Sequence, residues 1–261
     1  MAGCSTDRLV GEVTDVHGDP LPGVSVTLRG QGAQDLSDAW GRFRLPLTPG
    51  PVVLDLHKTG YTPGIYELNV DPAGEIPDIH VKLWALPPAA GVYLYEDRRY
   101  RPARALERES FPTSDGLVYG TTKFDERDPD AARTADPEPI LMCYGMPEGP
   151  VALHRLESAP VTIEGAGPQA EIEVLVPVAA VPAAAHAIDE PQGILRQVAF
   201  DEPLQPGIYA LHWGALTDVT GPDPRMFVFR VGDAAPPPDD AEATKDGSDD
   251  TDADDNDDET E

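Results

Sequence analysis

The stretch His17-Gly-Asp-Pro-Leu-Pro-Gly-Val-Ser-Val-Thr-Leu28 decides how the first part of the chain folds. Its glycines supply positive φ angles and its prolines a fixed φ, so its first half predicts a tight turn. Val24, Val26 and Leu28 then alternate with polar residues, which is the pattern of a strand with one buried face. We therefore predict a hairpin that opens a β-sheet domain.

The same alternation continues to about residue 86, in short runs separated by Gly, Pro, Asn and Asp. Six or seven strands at this spacing predict a β-sandwich. The expected strands lie around residues 9–16, 24–28, 42–47, 52–57, 66–70 and 79–83.

An ordered series of motifs surrounds the opening stretch. The motifs are Gly11-Glu-Val-Thr-Asp15, Gly18-Asp-Pro-Leu-Pro-Gly-Val24, Ser37-Asp-Ala-Trp-Gly-Arg-Phe43, Pro49-Gly50 and Gly60-Tyr61. Together these motifs resemble the carboxypeptidase regulatory-like domain family, a transthyretin-like sandwich found beside metallocarboxypeptidase domains and, alone, in many bacterial envelope proteins. The resemblance implies a seven-stranded sandwich over residues 8–86. The chain has Ser37-Asp38 where the family usually has Thr-Asp, a departure that keeps an oxygen able to cap the turn.

A second region follows the segment 87–91, which we interpret as a linker because consecutive prolines stiffen the chain and remove backbone donors. Residues 92–232 contain further short apolar runs bounded by Pro or Gly, and they predict a second, Ig-like β-sandwich. Residues around 107–139 are charged and Pro-rich, with Leu117 to Tyr119 as the one plausible strand. We expect a long loop there.

The charge is strongly negative, with 47 acidic against 19 basic residues and a net charge of -28. This balance argues against a nucleic-acid partner and against electrostatic docking on anionic lipid. Residues 233–261 are rich in Asp and Glu without hydrophobic spacing, and they predict a disordered acidic tail. No run reaches the 18 or so apolar residues of a membrane-spanning helix, so no transmembrane segment is predicted.

Residues 1–7 are interpreted as a tether that contains Cys4. Met1-Ala-Gly-Cys4 is similar to the end of a bacterial lipoprotein signal peptide, with Met1 at the position of the usual leucine. Cys4 is then a candidate lipid anchor, if the native precursor carries a signal peptide, and the only expected link to a membrane. The alternative is an incidental cysteine. The anchor implies the cell envelope: outer membrane, periplasm or cell exterior.

No catalytic residue, metal site or cofactor is predicted. His154-Arg-Leu-Glu157 has the spacing of a zinc carboxypeptidase motif, but residues three apart on a strand face opposite sides of the sheet. Cys143 lies among apolar residues and is expected to be a buried, unreactive thiol. The six histidines are scattered, and none is assigned a role.

The sequence favours a non-catalytic, envelope-associated structural or binding module whose partner is an unidentified protein or glycan. One alternative is a carbohydrate-binding module, in which Trp40, Tyr61 and Trp84 are the candidate stacking rings and Tyr66 and Trp213 further ones. Core packing is the competing role for each ring. A second alternative is an accessory domain of a peptidase system.

Overall fold

The computed structural model describes residues 8–46, 49–71, 78–122, 132–163, 171–188 and 193–232. All regular elements in these ranges are β-strands, which confirms the predicted all-β class. Within the same ranges, no helix could cross a bilayer. The tether with Cys4 and the acidic tail 233–261 lie outside the described residues.

The first part of the chain is a sandwich of two sheets around one apolar core. One sheet has the order β4-β1-β7, with β1 antiparallel to β4 and parallel to β7, and the other has the order β3-β2-β5-β6. The predicted seven-stranded sandwich is therefore confirmed. The strands are β1 (Arg8–Asp15), β2 (Ser25–Leu28), β3 (Gln34–Leu36), β4 (Arg42–Pro46), β5 (Gly50–His57), β6 (Gly64–Val70) and β7 (Ile79–Leu83).

The opening turn is held by a buried serine. The Ser37 hydroxyl donates to the carbonyl of Leu21 at 2.6 Å and accepts from the N–H of Val24 at 2.8 Å. Nearby, Gly41 has a φ of 76°, and a Cβ there would lie 2.3 Å from the carbonyl oxygen of Val13. The position therefore requires glycine, for its positive φ and for the close approach of the backbone.

The second region also has two sheets with a core between them, which confirms the predicted second sandwich. The smaller sheet has the order β17-β18-β14-β8-β9 and the larger β10-β20-β19-β15-β16-β12-β11, with β13 beside β20. The described strands are β8 (Gly91–Glu96), β9 (Arg99–Pro102), β10 (Arg104–Glu107), β11 (Glu109–Thr113), β12 (Gly116–Thr122), β13 (Arg133–Thr134), β14 (Ile140–Tyr144), β15 (Val151–Thr162), β16 (Glu171–Val181), β17 (Ala183–Ala187), β18 (Leu195–Phe200), β19 (Gly207–Trp213) and β20 (Arg225–Val231).

The prediction of a long loop around residues 107–139 is wrong for much of that stretch, because β11, β12 and β13 lie within it. β11 is an edge strand, and edge strands tolerate prolines and charged residues. Glu109 and Pro112 therefore fit there while Phe111 is buried. β12 contains the expected strand from Leu117 to Tyr119, whereas β11 and β13 contribute few apolar residues to a core and were not predicted.

The two regions meet at a polar and aromatic seam. The His17 Nε2 lies 2.5 Å from the Tyr95 hydroxyl, and the Arg98 guanidinium forms ion pairs with Asp15, at 3.2 Å, and with Asp19. A hairpin of the second region therefore contacts the opening turn of the first. The division of the chain at residues 87–91 stays a prediction.

Candidate functional site

Trp40 is the largest exposed apolar side chain in the described residues, with 66% of its surface accessible. It lies in the turn between β3 and β4. The Asp38 carboxylate accepts the N–H groups of Trp40 and Arg42, each at 2.9 Å. These bonds, that of Arg42 above all, lower the pKa of Asp38, so this side chain stays ionised and fixes the turn.

Leu36, the last residue of β3, is 63% exposed and lies four positions before Trp40. We call these two side chains the Trp40 surface. Buried Ser37 stands between them in the sequence and ties this connection to the core through the Leu21 carbonyl. An exposed tryptophan on a fixed turn is a preferred anchor for a binding partner, because its large apolar area is presented at a low entropic cost.

The other two candidate rings are not exposed in this way. Tyr61 is half-buried against the N-terminal core, and the Lys58 ammonium lies 5.8 Å from its ring centroid. Trp84 is half-buried and packs edge-on against Tyr95, with 5.6 Å between centroids. The Thr62 N–H donates to the Trp84 carbonyl at 2.7 Å, so the chain segments that carry Tyr61 and Trp84 run side by side.

No described ring contact or hydrogen bond joins Trp40 to Tyr61 or to Trp84. The further rings are occupied by packing as well. Tyr66 packs against the N-terminal core, and Trp213 is 1% exposed within the core of the second region. Of the five rings, Trp40 is the one that offers a face to a ligand.

A cavity of about 350 Å³ lies at the seam and is lined by residues of both regions. Several of its polar side chains are paired with one another. The Thr134 hydroxyl donates to Glu96 at 3.0 Å, His17 pairs with Tyr95, and Arg98 pairs with the carboxylates of the opening turn. Burial raises the pKa of Tyr95, so its hydroxyl stays protonated. The pairs of His17 and Arg98 join the two regions, whereas the pair of Thr134 with Glu96 lies within the second region.

The structure brings together two histidines that the sequence left unassigned. The His212 Nε2 lies 3.0 Å from the His154 Nδ1, and the His212 Nδ1 lies 3.3 Å from the Arg108 Nη1. Since a guanidinium can only donate, the His212 Nδ1 accepts and its Nε2–H donates to His154. Burial, followed by the neighbouring His154 and Arg108, lowers the pKa of His212 to about 4. His212 is therefore neutral at pH 7.

Arg108 is 3% exposed and holds a connection of the larger sheet in place. Its guanidinium donates to the carbonyls of Trp213, Ala215 and Asp223, at 3.2, 3.0 and 3.2 Å. These acceptors lie near the two ends of the connection between β19 and β20. The arrangement is structural, because most of its polar groups pair with one another in a buried position. Among the described residues, the Arg108 Nε and the Trp213 Nε1 are buried without a hydrogen-bond partner. Arg108 and His212 are 104 residues apart, and only knowledge of the strand register could have paired them.

The remaining reactive groups do not form a catalytic set. Glu157 is exposed and pairs with Arg155 at 3.9 Å, whereas His154 pairs with His212, so the His-x-x-Glu motif is not assembled. Cys143 is buried as predicted, and burial raises the pKa of its thiol to about 12. The described residues contain no group of three His, Cys, Asp or Glu side chains that could hold a metal ion.

Comparison with known families concerns the first sandwich. Residues 8–83 match the model of the carboxypeptidase regulatory-like domain. The match spans all seven strands, and it includes the turn that presents Trp40. No curated protein matches the chain. The first sandwich, residues 8–83, is therefore a carboxypeptidase regulatory-like domain.

Proposed function

We propose that this protein is a non-catalytic, envelope-associated binding module that contacts a partner protein through the Trp40 surface. The observation that carries the proposal is the 66% exposure of Trp40 on a turn fixed by Asp38. Leu36, four positions before Trp40 in the sequence, is a second exposed apolar side chain, and an aliphatic side chain suits a protein partner better than a sugar.

Two further observations support a binding role. The domain that carries the Trp40 surface matches a regulatory-like family, which suggests a structural or binding module. The histidines and the cysteine with the greatest catalytic potential, His154, His212 and Cys143, are buried or paired within the fold. These observations therefore favour binding through an exposed side chain over catalysis in a cleft.

The direct test replaces Trp40 with a photo-crosslinking amino acid in the producing cells. We expect one dominant cross-linked protein, identified by mass spectrometry, and weaker cross-linking when Leu36→Ala is added. The matched control carries the cross-linker at His80, an exposed residue of β7 in the same domain. Equal products from both positions, or none from position 40, would contradict the proposal.

Envelope association is proposed to depend on Cys4. We expect that the full precursor, expressed in its own cells, incorporates labelled palmitate and sediments with membranes. Cys4→Ser should abolish both properties, whereas Cys143→Ser, at a buried position, should leave labelling unchanged. Labelling that persists in Cys4→Ser would overturn this part of the proposal.

A glycan partner is the second candidate, because exposed tryptophan rings also stack on sugars. Affinity electrophoresis in gels that contain polysaccharides tests it. Retardation that disappears with Trp40→Ala and persists with Trp84→Phe would favour a glycan over a protein. Unretarded migration in every gel would remove the glycan candidate.

A further inference from the structure

The smaller sheet of the second region ends in β17, whose outer side pairs with no strand in the described part of the chain. β17 is antiparallel to β18, and Ala185 is opposite Val198. The Ile188 N–H donates to the Leu195 carbonyl at 3.0 Å, which continues the same register. Because backbone groups alternate in an antiparallel ladder, the N–H and C=O groups of Ala183, Ala185 and Ala187 point away from β18. These groups form a row open to a further strand.

β17 differs from the other edge strands in its chemistry. Proteins block sheet edges with charged side chains and prolines, which discourage pairing with another chain. Among the described strands, each other strand at a sheet edge carries at least one charged residue, whereas Ala183–Ala187 carries none and no proline. The charged residues on the other edges include Asp35 in β3, Arg42 in β4, Glu67 in β6, Lys82 in β7, Arg99 in β9, Arg104 in β10, Glu109 in β11 and Arg133 in β13.

From these two observations we propose that β17 pairs antiparallel with β17 of a second copy of this chain, so that two five-stranded sheets join into one across a two-fold axis. A two-fold axis beside Ala185 places Ala185 opposite its counterpart, and Ala184 opposite His186 of the other copy. No like charges then face each other across the new ladder. Alanine side chains also let the two edges approach without steric conflict.

The high negative charge of the whole chain favours self-association through the uncharged edge strand β17 over association through a charged edge. Two copies with a net charge of -28 each repel one another, and an association must bring uncharged surfaces together. The exposed side chains of β18 next to β17 are Gln197 and Ala199, which are also uncharged. The contact surface therefore continues beyond the edge strand itself.

The pairing is expected to be weak and sensitive to salt. Two strands of five residues bury less than the roughly 1,000 Å² typical of a stable interface, so the dimer should dissociate on dilution. Salt screens repulsion between the acidic copies over about 10 Å at 0.1 M ionic strength. Dimerisation should therefore strengthen as the salt concentration rises, which is the opposite of an association held by ion pairs.

Sedimentation velocity of the full chain, from micromolar to millimolar concentration, tests the proposal with a matched pair of variants. Ala185→Pro removes an outward N–H of β17 and keeps the ladder to β18. The control is Ala105→Pro in β10, another edge strand. The Arg108 N–H donates to the Pro224 carbonyl at 2.9 Å in the continuing register, so the Ala105 N–H also points outward.

We expect a reversible dimer of the wild type and of Ala105→Pro, and at least about a tenfold weaker dimer of Ala185→Pro. Circular dichroism should show that both variants keep the wild-type strand content. A second variant, Ala184→Lys, adds a charge beside the edge without a backbone change and should also weaken the dimer. A wild type that stays monomeric at every concentration and salt level overturns the proposal, and so does equal dimerisation of wild type and Ala185→Pro.

Discussion

The two regions of this protein bury different kinds of polar groups. In the N-terminal domain, the buried polar side chains of the described residues are the hydroxyls of Ser37 and Thr62. The second region buries the charged side chains of Arg108, Arg196 and Asp223, together with His212. Ser37 and Thr62 make neutral hydrogen bonds with backbone groups that are 13 to 22 residues away. Arg108 and Arg196 are cations that donate to carbonyls 49 to 115 residues away, whereas Asp223 pairs with Arg225, two residues on.

This difference indicates which kind of buried polar interaction stabilises each region. The neutral Ser37 hydroxyl satisfies backbone groups of the opening turn, 13 and 16 residues before it in the sequence. Arg196 donates to the carbonyls of Met146 and Pro147, at 2.7 and 2.6 Å, and so joins β18 to the connection after β14. Leaving a buried cation without its acceptors, or buried acceptors without their cation, costs more free energy than losing a neutral hydrogen bond. The second region should therefore be the more sensitive to loss of a single polar side chain.

Arg108→Met tests this sensitivity most strongly. The substitution keeps much of the side-chain volume but removes a donor from the carbonyls of Trp213 and Asp223 and from the His212 ring. We therefore expect a loss of about 3 to 5 kcal/mol in the free energy of unfolding. Urea denaturation measures it. The control is Arg29→Met in the N-terminal domain, where the exposed Arg29 pairs with Asp55. This control should leave the midpoint unchanged, and equal losses in both variants would remove the contrast between the regions.

Gly41→Ala tests the N-terminal domain, where we expect the most sensitive position to be a turn glycine and not a buried charged side chain. The methyl group would lie 2.3 Å from the Val13 carbonyl oxygen at a φ of 76°, and we expect a loss of about 2 to 4 kcal/mol. Gly18→Ala is the matched control, because its φ is 88° but no atom lies within 4 Å. It should cost about 1 kcal/mol. Similar thermal unfolding of the two variants would show that the close approach is unimportant.

His212 should make the second region sensitive to acid. In the unfolded chain its imidazole is protonated as the pH falls through about 6.5, whereas in the fold its pKa is about 4. Its neutral form therefore stabilises the fold fully above pH 6.5. That contribution, on the order of 2 kcal/mol, is lost as the pH falls towards 4.

The measurement is the change in unfolding free energy between pH 7 and pH 4.5, for wild type and for His212→Gln. We expect the variant to lose less stability over this range than the wild type does. The control is His80→Gln, at an exposed position of β7 in the N-terminal domain, and it should follow the wild type. If His212→Gln also follows the wild type, the buried imidazole does not govern the acid response.

Trp40→Ala should have the smallest effect on stability. The ring is 66% exposed, so its removal should change the free energy of unfolding by less than about 0.5 kcal/mol. Trp213→Ala is the opposite case, since that ring is 1% exposed and its removal leaves a core cavity. A large loss of stability in Trp40→Ala would mean that this ring belongs to the core and not to a binding surface.

The N-terminal fold could be predicted from sequence because its determinants are local. Glycines, prolines and alternating apolar residues encode turns and strands over a few positions, as in the stretch from His17 to Leu28. β11 and β13, within residues 107–139, were missed because edge strands need few apolar residues.

The exposure of the candidate rings could not be predicted from the sequence. Trp40 was named from the sequence together with Tyr61 and Trp84, but composition alone cannot separate an exposed ring from a packed one. The turn that exposes Trp40 is set by Asp38, and the packing of Trp84 is set by Tyr95 of the second region. The pairing of Arg108 with His212 depends on the register of distant strands, which no local pattern encodes.

The measurement that tests the central claim most directly is binding of the purified, labelled chain to isolated envelopes of the producing cells. We expect saturable binding that falls by at least about tenfold in Trp40→Ala, because a presented tryptophan should be a hot spot. Trp84→Phe should bind like the wild type, since Trp84 is half-buried. Saturable binding that is unchanged in Trp40→Ala, or the absence of saturable binding, would contradict the assignment of the Trp40 surface as the binding site.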